Sequence, residues 1–521
     1  MSDKIKILWA DDEIDMLKPQ LFFLEKKGYD VVTVSNGHDA LDVLDEDTTI
    51  DIIFLDESMP GLTGLETLGR VKAKLPNIPV VMITKNEAEN IMEEAIGSQI
   101  DDYLIKPVNP NQILLTLKKI VDNKRLVSEK TATDYQQEFR NIAMEINNGP
   151  DYREWTEIYK KIINWEIRLD DSNNQQMKEI LNMQKSDANR EFFKYVSKKY
   201  VDWIKKSDGP RTSQSLLKEK VLPLLSQGKP TIMILMDNLR FDQWKIIEPI
   251  IADLYKVDEE DFFYSILPTA TQYSRNAIFA GLLPSEIQKR FPDWWLNDNE
   301  EGGKNMKEGE LMADQIKRLV KKDIKSEYVK VTNVQGARQL QDNALNFVNN
   351  DFTAIVYNFI DMLSHSRTEM EVLKELAGDE KAYRSLTKSW FLNSQLWATL
   401  QKLADRDIQL VITTDHGTIR VQNSVKVIGD RETTTNLRYK VGRNLQYDKK
   451  DVFEAKSPTD IGLPSPNMSS TYIFAKEDLF FLYPNNYAYY NNFFKDTFQH
   501  GGISMEEMIC PIVRLTPKTN R

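Results

Sequence analysis

The chain holds only four histidines, His38, His365, His416 and His500, and one cysteine, so their neighbours limit the chemistry open to it. Three of the four lie in acidic or glycine-flanked contexts: Asp361-Met-Leu-Ser-His365, Asp415-His416-Gly417 and His500-Gly501-Gly502. Asp361 and His365, four apart, share one face if the chain turns there as a helix. Asp415 follows the apolar run IQLVITT, Asp237 closes TIMILMD in the same way, and Gly417 lets the chain turn at once. Three aspartates and three histidines at one sheet edge form a mixed nitrogen and oxygen donor set suited to two zinc or manganese ions. A lone cysteine excludes a thiolate zinc site and any internal disulfide. In LPTATQYSRNAIFAGLLP, Thr269 and Thr271 precede a helical pattern, where free amides and the helix dipole stabilise an anion. A threonine hydroxyl is a weak nucleophile until a divalent cation lowers its pKa; read alone, Thr271 is a helix cap.

A second constellation lies near the N-terminus. Asp11 and Asp12 follow KILWA, Asp56 follows IDIIFL, Thr84 follows IPVVMI, and Lys106-Pro107 closes DDYLIKP. In an open parallel sheet the ligand crevice forms at these strand ends, so three carboxylates, a hydroxyl and a lysine converge there. Crowded carboxylates call for a hard cation such as Mg2+. With the ion in place Asp56 can attack a phosphoryl donor while Thr84 and Lys106 meet the added oxygens.

These residues need elements to position them, and the apolar pattern supplies three blocks. Residues 1–122 alternate five strand-like runs with five helix-like segments, the pattern of a doubly wound parallel sheet. Residues 123–207 carry apolar residues at helical spacing (Trp155, Ile158, Tyr159, Ile162, Ile163), which predicts a helical bundle. Residues 121–210 hold 16 Lys+Arg and 16 Asp+Glu, so no basic recognition helix for DNA is expected there; the block reads as a connector, a dimerisation element or a solvated spacer. Residues 208–521 return to apolar strands covered on both faces, interrupted between Thr418 and Ser470 by a polar stretch read as loops over the site. The whole is a multidomain α/β chain of 521 residues, 41% hydrophobic and 28% charged, with net charge −11; that balance excludes a disordered chain and a broad nucleic-acid face. Without a long apolar segment or a secretory-type start, it reads as cytoplasmic and not a membrane protein.

The Asp-Asp, Asp, Thr, Lys-Pro series resembles the receiver domain of two-component response regulators. The resemblance implies Asp56 as phosphoacceptor, Asp11, Asp12 and Asp56 on Mg2+ with the Ser58 backbone carbonyl, Thr84 and Lys106 on the phosphoryl group, Tyr103 as an aromatic switch, and a sensor histidine kinase as donor. The C-terminal block, with DNLR at Asp237–Arg240 and HGGISMEEMICP at His500–Pro511, resembles the PglZ-type branch of the alkaline phosphatase superfamily. That implies one zinc on Asp361, His365 and His500, a second on Asp237, Asp415 and His416, and Thr271 as the nucleophile touching the metals. The sulfatase pattern is absent, since Cys510 opens CPIVR. Receiver, helical bundle and PglZ-type effector in this order resemble response regulators tied to type IX protein secretion. The expectation is a phosphorylation-controlled, two-zinc phosphodiesterase acting on nucleotide or oligonucleotide diesters, with Asn238, Arg275, Asn436 and Arg438 as substrate contacts and a homodimer forming on phosphorylation. The alternative is a signalling adaptor that binds a sigma factor or secretion regulator, its metal site structural.

Overall fold

A computed structural model describes residues 4–47, 49–85, 100–170, 175–206, 208–358, 378–430, 433–467 and 469–518, and no side chain within 121–132. The chain divides into two compact units, 1–134 and 135–521.

In the first unit, β1 (Lys6–Ala10), β2 (Asp30–Val34), β3 (Ile52–Asp56), β4 (Val80–Thr84) and β5 (Asp102–Ile105) form a parallel sheet in the order β2-β1-β3-β4-β5. Strand residues alternate between two cores: Ile7, Trp9, Ile52 and Phe54 on one face, Leu8, Ala10, Ile53 and Leu55 on the other. Both faces are apolar because helices cover both. They are α1 (Lys18–Lys26), α2 (Gly37–Glu46), α3 (Gly64–Lys74) and α4 (Pro110–Leu117). α3 starts at a capping box, in which Glu66 N–H donates to Thr63 Oγ1 at 3.2 Å and Thr63 N–H to Glu66 Oε2 at 2.9 Å. The helix expected between β4 and β5 lies outside the described residues.

The connector forms three helices, α5 (Asn123–Asn147), α6 (Tyr152–Asp170) and α7 (Gln175–Lys206), and the boundary between the two units falls within α5. α6 buries Trp155, Ile158, Tyr159, Ile162, Ile163 and Leu169; α7 buries Asn189, Phe192, Val196, Tyr200 and Trp203 along one stripe. The stripe does not face solvent. Phe192 and Trp203 lie 6.2 and 5.5 Å from the ring of Tyr264, and Tyr159 lies 6.0 Å from Phe241. The solvated-spacer reading therefore gives way: each such aromatic stabilises the junction by about 2 kcal/mol through burial. A buried ion cluster completes it. Arg384 Nη1 is 2.6 Å from Glu166 and 2.9 Å from Asp242, and Lys185 is 3.0 Å from Glu166 and 3.2 Å from Glu506. Burial alone would push the Glu166 carboxyl up, but Lys185 and Arg384 hold it below the usual carboxylate range.

The effector is built on six strands: β6 (Thr231–Met236), β7 (Tyr255–Tyr264), β8 (Ser326–Val331), β9 (Phe352–Tyr357), β10 (Gln409–Thr413) and β11 (Ile509–Pro517), ordered β7-β11-β10-β6-β9-β8. β8, β9, β6 and β10 run parallel, and β11 alone is reversed, antiparallel to both of its neighbours, β10 and β7. Register pairs Leu235 of β6 with Thr413 of β10 and Met236 with Tyr357 of β9, so Asp237, Asn358 and Asp415 emerge at one edge. The helices used below are α8 (Phe241–Ala252), α9 (Thr271–Ala280), α10 (Glu308–Leu319), α11 (Glu380–Leu392) and α12 (Met505–Met508). The polar stretch expected as loops is folded. Tyr439–Gly442, Thr471–Ala475 and Val452–Ala455 form an antiparallel sheet, with Val427, Val452, Ile473, Ala475 and Phe481 as its core. The apolar residues are too scattered along the sequence to show this; they meet only through pairing with strands beyond Ser470.

Candidate metal and phosphoryl sites

At the β6 edge, Asp237, Asp415 and His416 bring ligand atoms within 4.8 Å of one another, all three residues buried. Asp415 Oδ1 accepts Asn238 N–H at 3.1 Å, which pulls the two strand ends together. Asn238 makes this turn at φ 69°, a left-handed conformation that asparagine tolerates better than most residues. His416 Nδ1 lies 3.1 Å from the carbonyl of Gly417, and His500 Nδ1 lies 3.0 Å from the carbonyl of Thr269. A carbonyl only accepts, so each Nδ1 carries the proton and each Nε2 presents a lone pair, the arrangement of metal-ligating histidines. The two rings stack with centroids 4.3 Å apart. This buried pair of carboxylates with imidazoles locked in the ligating tautomer fits zinc.

Ala270, not Thr271, occupies the cap position of α9. Thr271 is the first helical residue, half-buried, with Oγ1 3.1 Å from His416 Nε2 and 3.4 Å from Asp237 Oδ1. In the first turn of α9, Tyr273 and Ser274 N–H donate to Ala270 O at 2.9 and 3.0 Å; the Thr271 and Gln272 amides precede any intrahelical acceptor, the position at which a helix end stabilises an anion. Thr269 points elsewhere. Its hydroxyl donates to Gly502 O and accepts Gly501 N–H, both at 3.0 Å, tying the two loops together.

Two residues expected to touch substrate do not have that position. Arg275, 1% exposed, reaches Asp237 Oδ2 at 2.5 Å through Nη1 and Glu308 Oε1 at 2.5 Å through Nε. Arg438, fully buried, reaches Glu507 through Nε at 3.1 Å and Nη2 at 2.6 Å. Both are internal counter-ions that shape the site. Asn238 is also fully buried, and its backbone orients Asp415. Asn436 lies beside the His500 loop, where a Cβ on Gly501 would meet its Oδ1 at 3.0 Å; that oxygen accepts Arg438 N–H at 2.8 Å. Asp361 and His365 lie outside the described residues. Glu308 and Glu507, the buried carboxylates that hold the arginines, do not stand out in the sequence. Glu507 has one local signal, a Ser504-x-x-Glu507 cap spacing; Glu308 has none, because its partners are far away in sequence.

In the first unit Asp11, Asp12 and Asp56 bring carboxylate oxygens within 4.8 Å of one another. Lys106 Nζ lies 3.0 Å from Asp11 Oδ2 and 3.0 Å from Asp56 Oδ1. Asp56 is 2% exposed, and its Oδ2 has no hydrogen-bond partner among the described residues. Burial, opposed by Lys106 and reinforced by Asp11 and Asp12, pushes its carboxyl up to about 6. A buried, incompletely bonded carboxylate beside two others fits Mg2+. Thr84 Oγ1 donates to Glu57 Oε2, Tyr103 is 39% exposed, and Ser58 lies exposed in the loop two residues past Asp56.

The fold and these two pockets define a signalling chain: a doubly wound switch domain, a helical connector and an α/β domain with a buried, zinc-suited centre. The chain belongs to the family of the BREX system PglZ alkaline phosphatase-like domain, whose model matches residues 216–515. Residues 7–118 match the response regulator receiver domain and residues 125–204 the PorX response regulator linker domain. Among curated relatives, the transcriptional regulatory protein CpxR homolog of Haemophilus influenzae is 31% identical over 28% of this chain and 62% of its own length. The alkaline phosphatase synthesis transcriptional regulatory protein PhoP of Bacillus subtilis is 30% identical over 27% of this chain and 55% of its own. The chain thus spans a little over half the length of these relatives. Among solved structures, the chemotaxis protein CheY4 of Vibrio cholerae is 28% identical, covering 23% of this chain and 100% of its own, with a TM-score of 0.22. No described helix is long and apolar enough to cross a membrane.

Proposed function

We propose that this response regulator is a phosphorylation-controlled phosphodiesterase with Thr271 as its nucleophile, acting on nucleotide or oligonucleotide diesters and regulating protein secretion. One observation carries the reading: a half-exposed threonine hydroxyl at a helix N-terminus, 3.1 Å from a histidine in the ligating tautomer and 3.4 Å from a buried aspartate. Thr271 Oγ1 attacks phosphorus, the diester P–O bond opposite it breaks, and one alcohol leaves. Water then cleaves the phospho-threonine, releasing the remaining phosphate ester. The α9 amides face the phosphoryl oxygens, and Arg275 keeps Asp237 ionised and in place. Zinc held by Asp237, Asp415 and His416, and by His500 with Asp361 and His365, would lower the threonine pKa and neutralise diester charge. In the receiver, Asp56 takes the phosphoryl group from a sensor histidine kinase, Lys106 pairs with it, and Mg2+ held by Asp11, Asp12 and Asp56 would screen the added charge.

The test is hydrolysis of bis-p-nitrophenyl phosphate and of short oligonucleotides by the zinc-supplied full chain. Activity that falls by at least about a thousandfold in Thr271→Ala supports the reading. Absence of activity, or a Thr271→Ala variant as active as the parent, rejects it.

A further inference from the structure

Beside the Lys185–Glu506 ion pair, connector helix α7 reaches the hydrolytic site through the hydrogen bonds of two residues, and these contacts are directional. Tyr200, fully buried, accepts Leu267 N–H on its hydroxyl at 2.7 Å, four residues ahead of Thr271. Pro268 has no N–H, so this is the one amide donor that the Leu267-Pro268 step can offer. Asn189, 3% exposed, uses both ends of its amide: Nδ2 donates to Glu506 Oε2 at 2.9 Å, and Oδ1 accepts Met505 N–H at 2.8 Å. Eleven residues separate Asn189 from Tyr200, close to three full turns, so they share one face about 16 Å apart.

Each contact ends on a loop of the site. Met505 and Glu506 open α12, five and six residues past His500. The α12 backbone abuts the His416 turn as well: Gly417 N–H donates to Glu507 O at 3.1 Å, and a Cβ on Gly417 would lie 2.0 Å from Glu506 O. Glycine at 417 is thus required by close approach, and α12 is wedged between α7 and the histidine-bearing turn. The Leu267–Thr271 loop is in turn tied to the His500 loop through Thr269. α7 therefore holds the nucleophile loop with one residue and the ligand loops with another.

We propose that Asn189 and Tyr200 are positioning residues of the hydrolytic site, and that α7 is the element through which the connector sets the placement of Thr271 against the His416–His500 pair. The proposal rests on Thr271 acting as the nucleophile. Packing alone does not call for these residue types. Phenylalanine at 200 would keep the ring contacts but leave the Leu267 N–H buried and unpaired, and nucleophile geometry is sensitive to displacements near 1 Å. The same helix receives α5: Tyr135 Oη donates to Gln184 Oε1 at 3.0 Å, and Gln184 Nε2 donates to Phe139 O at 2.9 Å. A change in α5 thus has a bonded route to α7.

The experiment uses the zinc-supplied full chain with Tyr200→Phe, Asn189→Ala and, as a stability control, Phe192→Leu, which trims the same buried stripe but bonds no loop. Diesterase kinetics, zinc affinity by chelator competition and thermal unfolding are measured together. Tyr200→Phe is expected to lower kcat about tenfold with KM within about twofold, the signature of a lost transition-state alignment. Asn189→Ala is expected to weaken zinc binding about tenfold, as other supporting residues of metal sites do. Phe192→Leu should melt earlier with kcat and zinc affinity unchanged. Parent-like kcat and zinc affinity in both variants, or losses that merely track melting as in the control, overturn the proposal. A parent chain that binds no zinc and leaves the diester intact rejects the hydrolase reading itself and this proposal with it.

Discussion

At Arg275 one guanidinium serves two buried carboxylates at once, Asp237 of the metal set and Glu308 of α10. Removing it would take a buried charge partner from Asp237 and leave Glu308 with Lys330, 3.2 Å away, and Tyr328; breaking a buried pair in this way costs about 3–5 kcal/mol. Arg275→Ala is therefore expected to lower the denaturant midpoint sharply and to abolish zinc retention. Arg275→Lys should rescue only part, because an ammonium lacks the fork that spans both partners. Lys440 tests burial in the opposite sense. Its side chain lies in the folded insertion, donates to Thr434 O at 2.9 Å, and is pushed down to about 7 by loss of hydration. Between pH 7 and its ordinary 10.5 the native state then binds fewer protons than the unfolded chain. Stability must rise with pH across that window and level off below about pH 7, where the lysine is charged in both states. Lys440→Met should flatten this slope in urea midpoints measured from pH 7 to about pH 10; an unchanged slope would show that Lys440 stays charged.

At the scale of elements, the helical spacing in 123–207 was legible because a buried stripe repeats along one segment. What covers the stripe was not, since Tyr264, Phe241 and Phe453 lie on effector segments far along the chain. The connector thus supplies a wall of the effector core. A fragment of residues 135–521 is expected to unfold cooperatively and bind zinc, whereas residues 208–521 alone should fail to, with Tyr264 and Phe241 stripped of cover. Circular dichroism melts and zinc titration of the two fragments decide this. In the receiver, loss of the Thr63 cap in Thr63→Ala should destabilise that unit by about 1 kcal/mol, read from its own denaturation transition.

At the scale of the whole molecule, a receiver and an alkaline phosphatase-like domain in one chain make separable predictions. Asp56→Ala should abolish phosphorylation by a small-molecule phosphodonor yet leave zinc binding by the effector at the parent level, while Thr271→Ala should leave phosphorylation unchanged and abolish diester hydrolysis. Secretion in cells that survives Thr271→Ala but not Asp56→Ala would favour the adaptor role, in which a partner such as a sigma factor reads the phosphorylated state. Beryllofluoride with Mg2+ is expected to double the sedimenting mass, and an unchanged mass would count against dimerisation on phosphorylation. The net charge of −11 fits an enzyme that meets a short diester through a small buried centre. A long polyanion would be repelled by such a surface.

The sequence by itself determined the receiver constellation, the Asp237, Asp415 and His416 part of the effector one, and the sheets that carry them. Strand runs ending in aspartate, and histidines set beside aspartate or glycine, are local patterns, and parallel pairing brings such strand ends to one edge. Only the tertiary structure decided which polar residues face substrate and which are counter-ions, because Arg275 and Arg438 are defined by partners 33 and 69 residues away. It also separated Thr271 from Thr269, two identical hydroxyls two residues apart, since the start of α9 turns one toward His416 and Asp237 and the other toward the Gly501–Gly502 backbone. Spacing along a chain says which residues can share an element; which element packs against it is settled by long-range burial, and at Asn189 and Tyr200 that is where the connector meets the site.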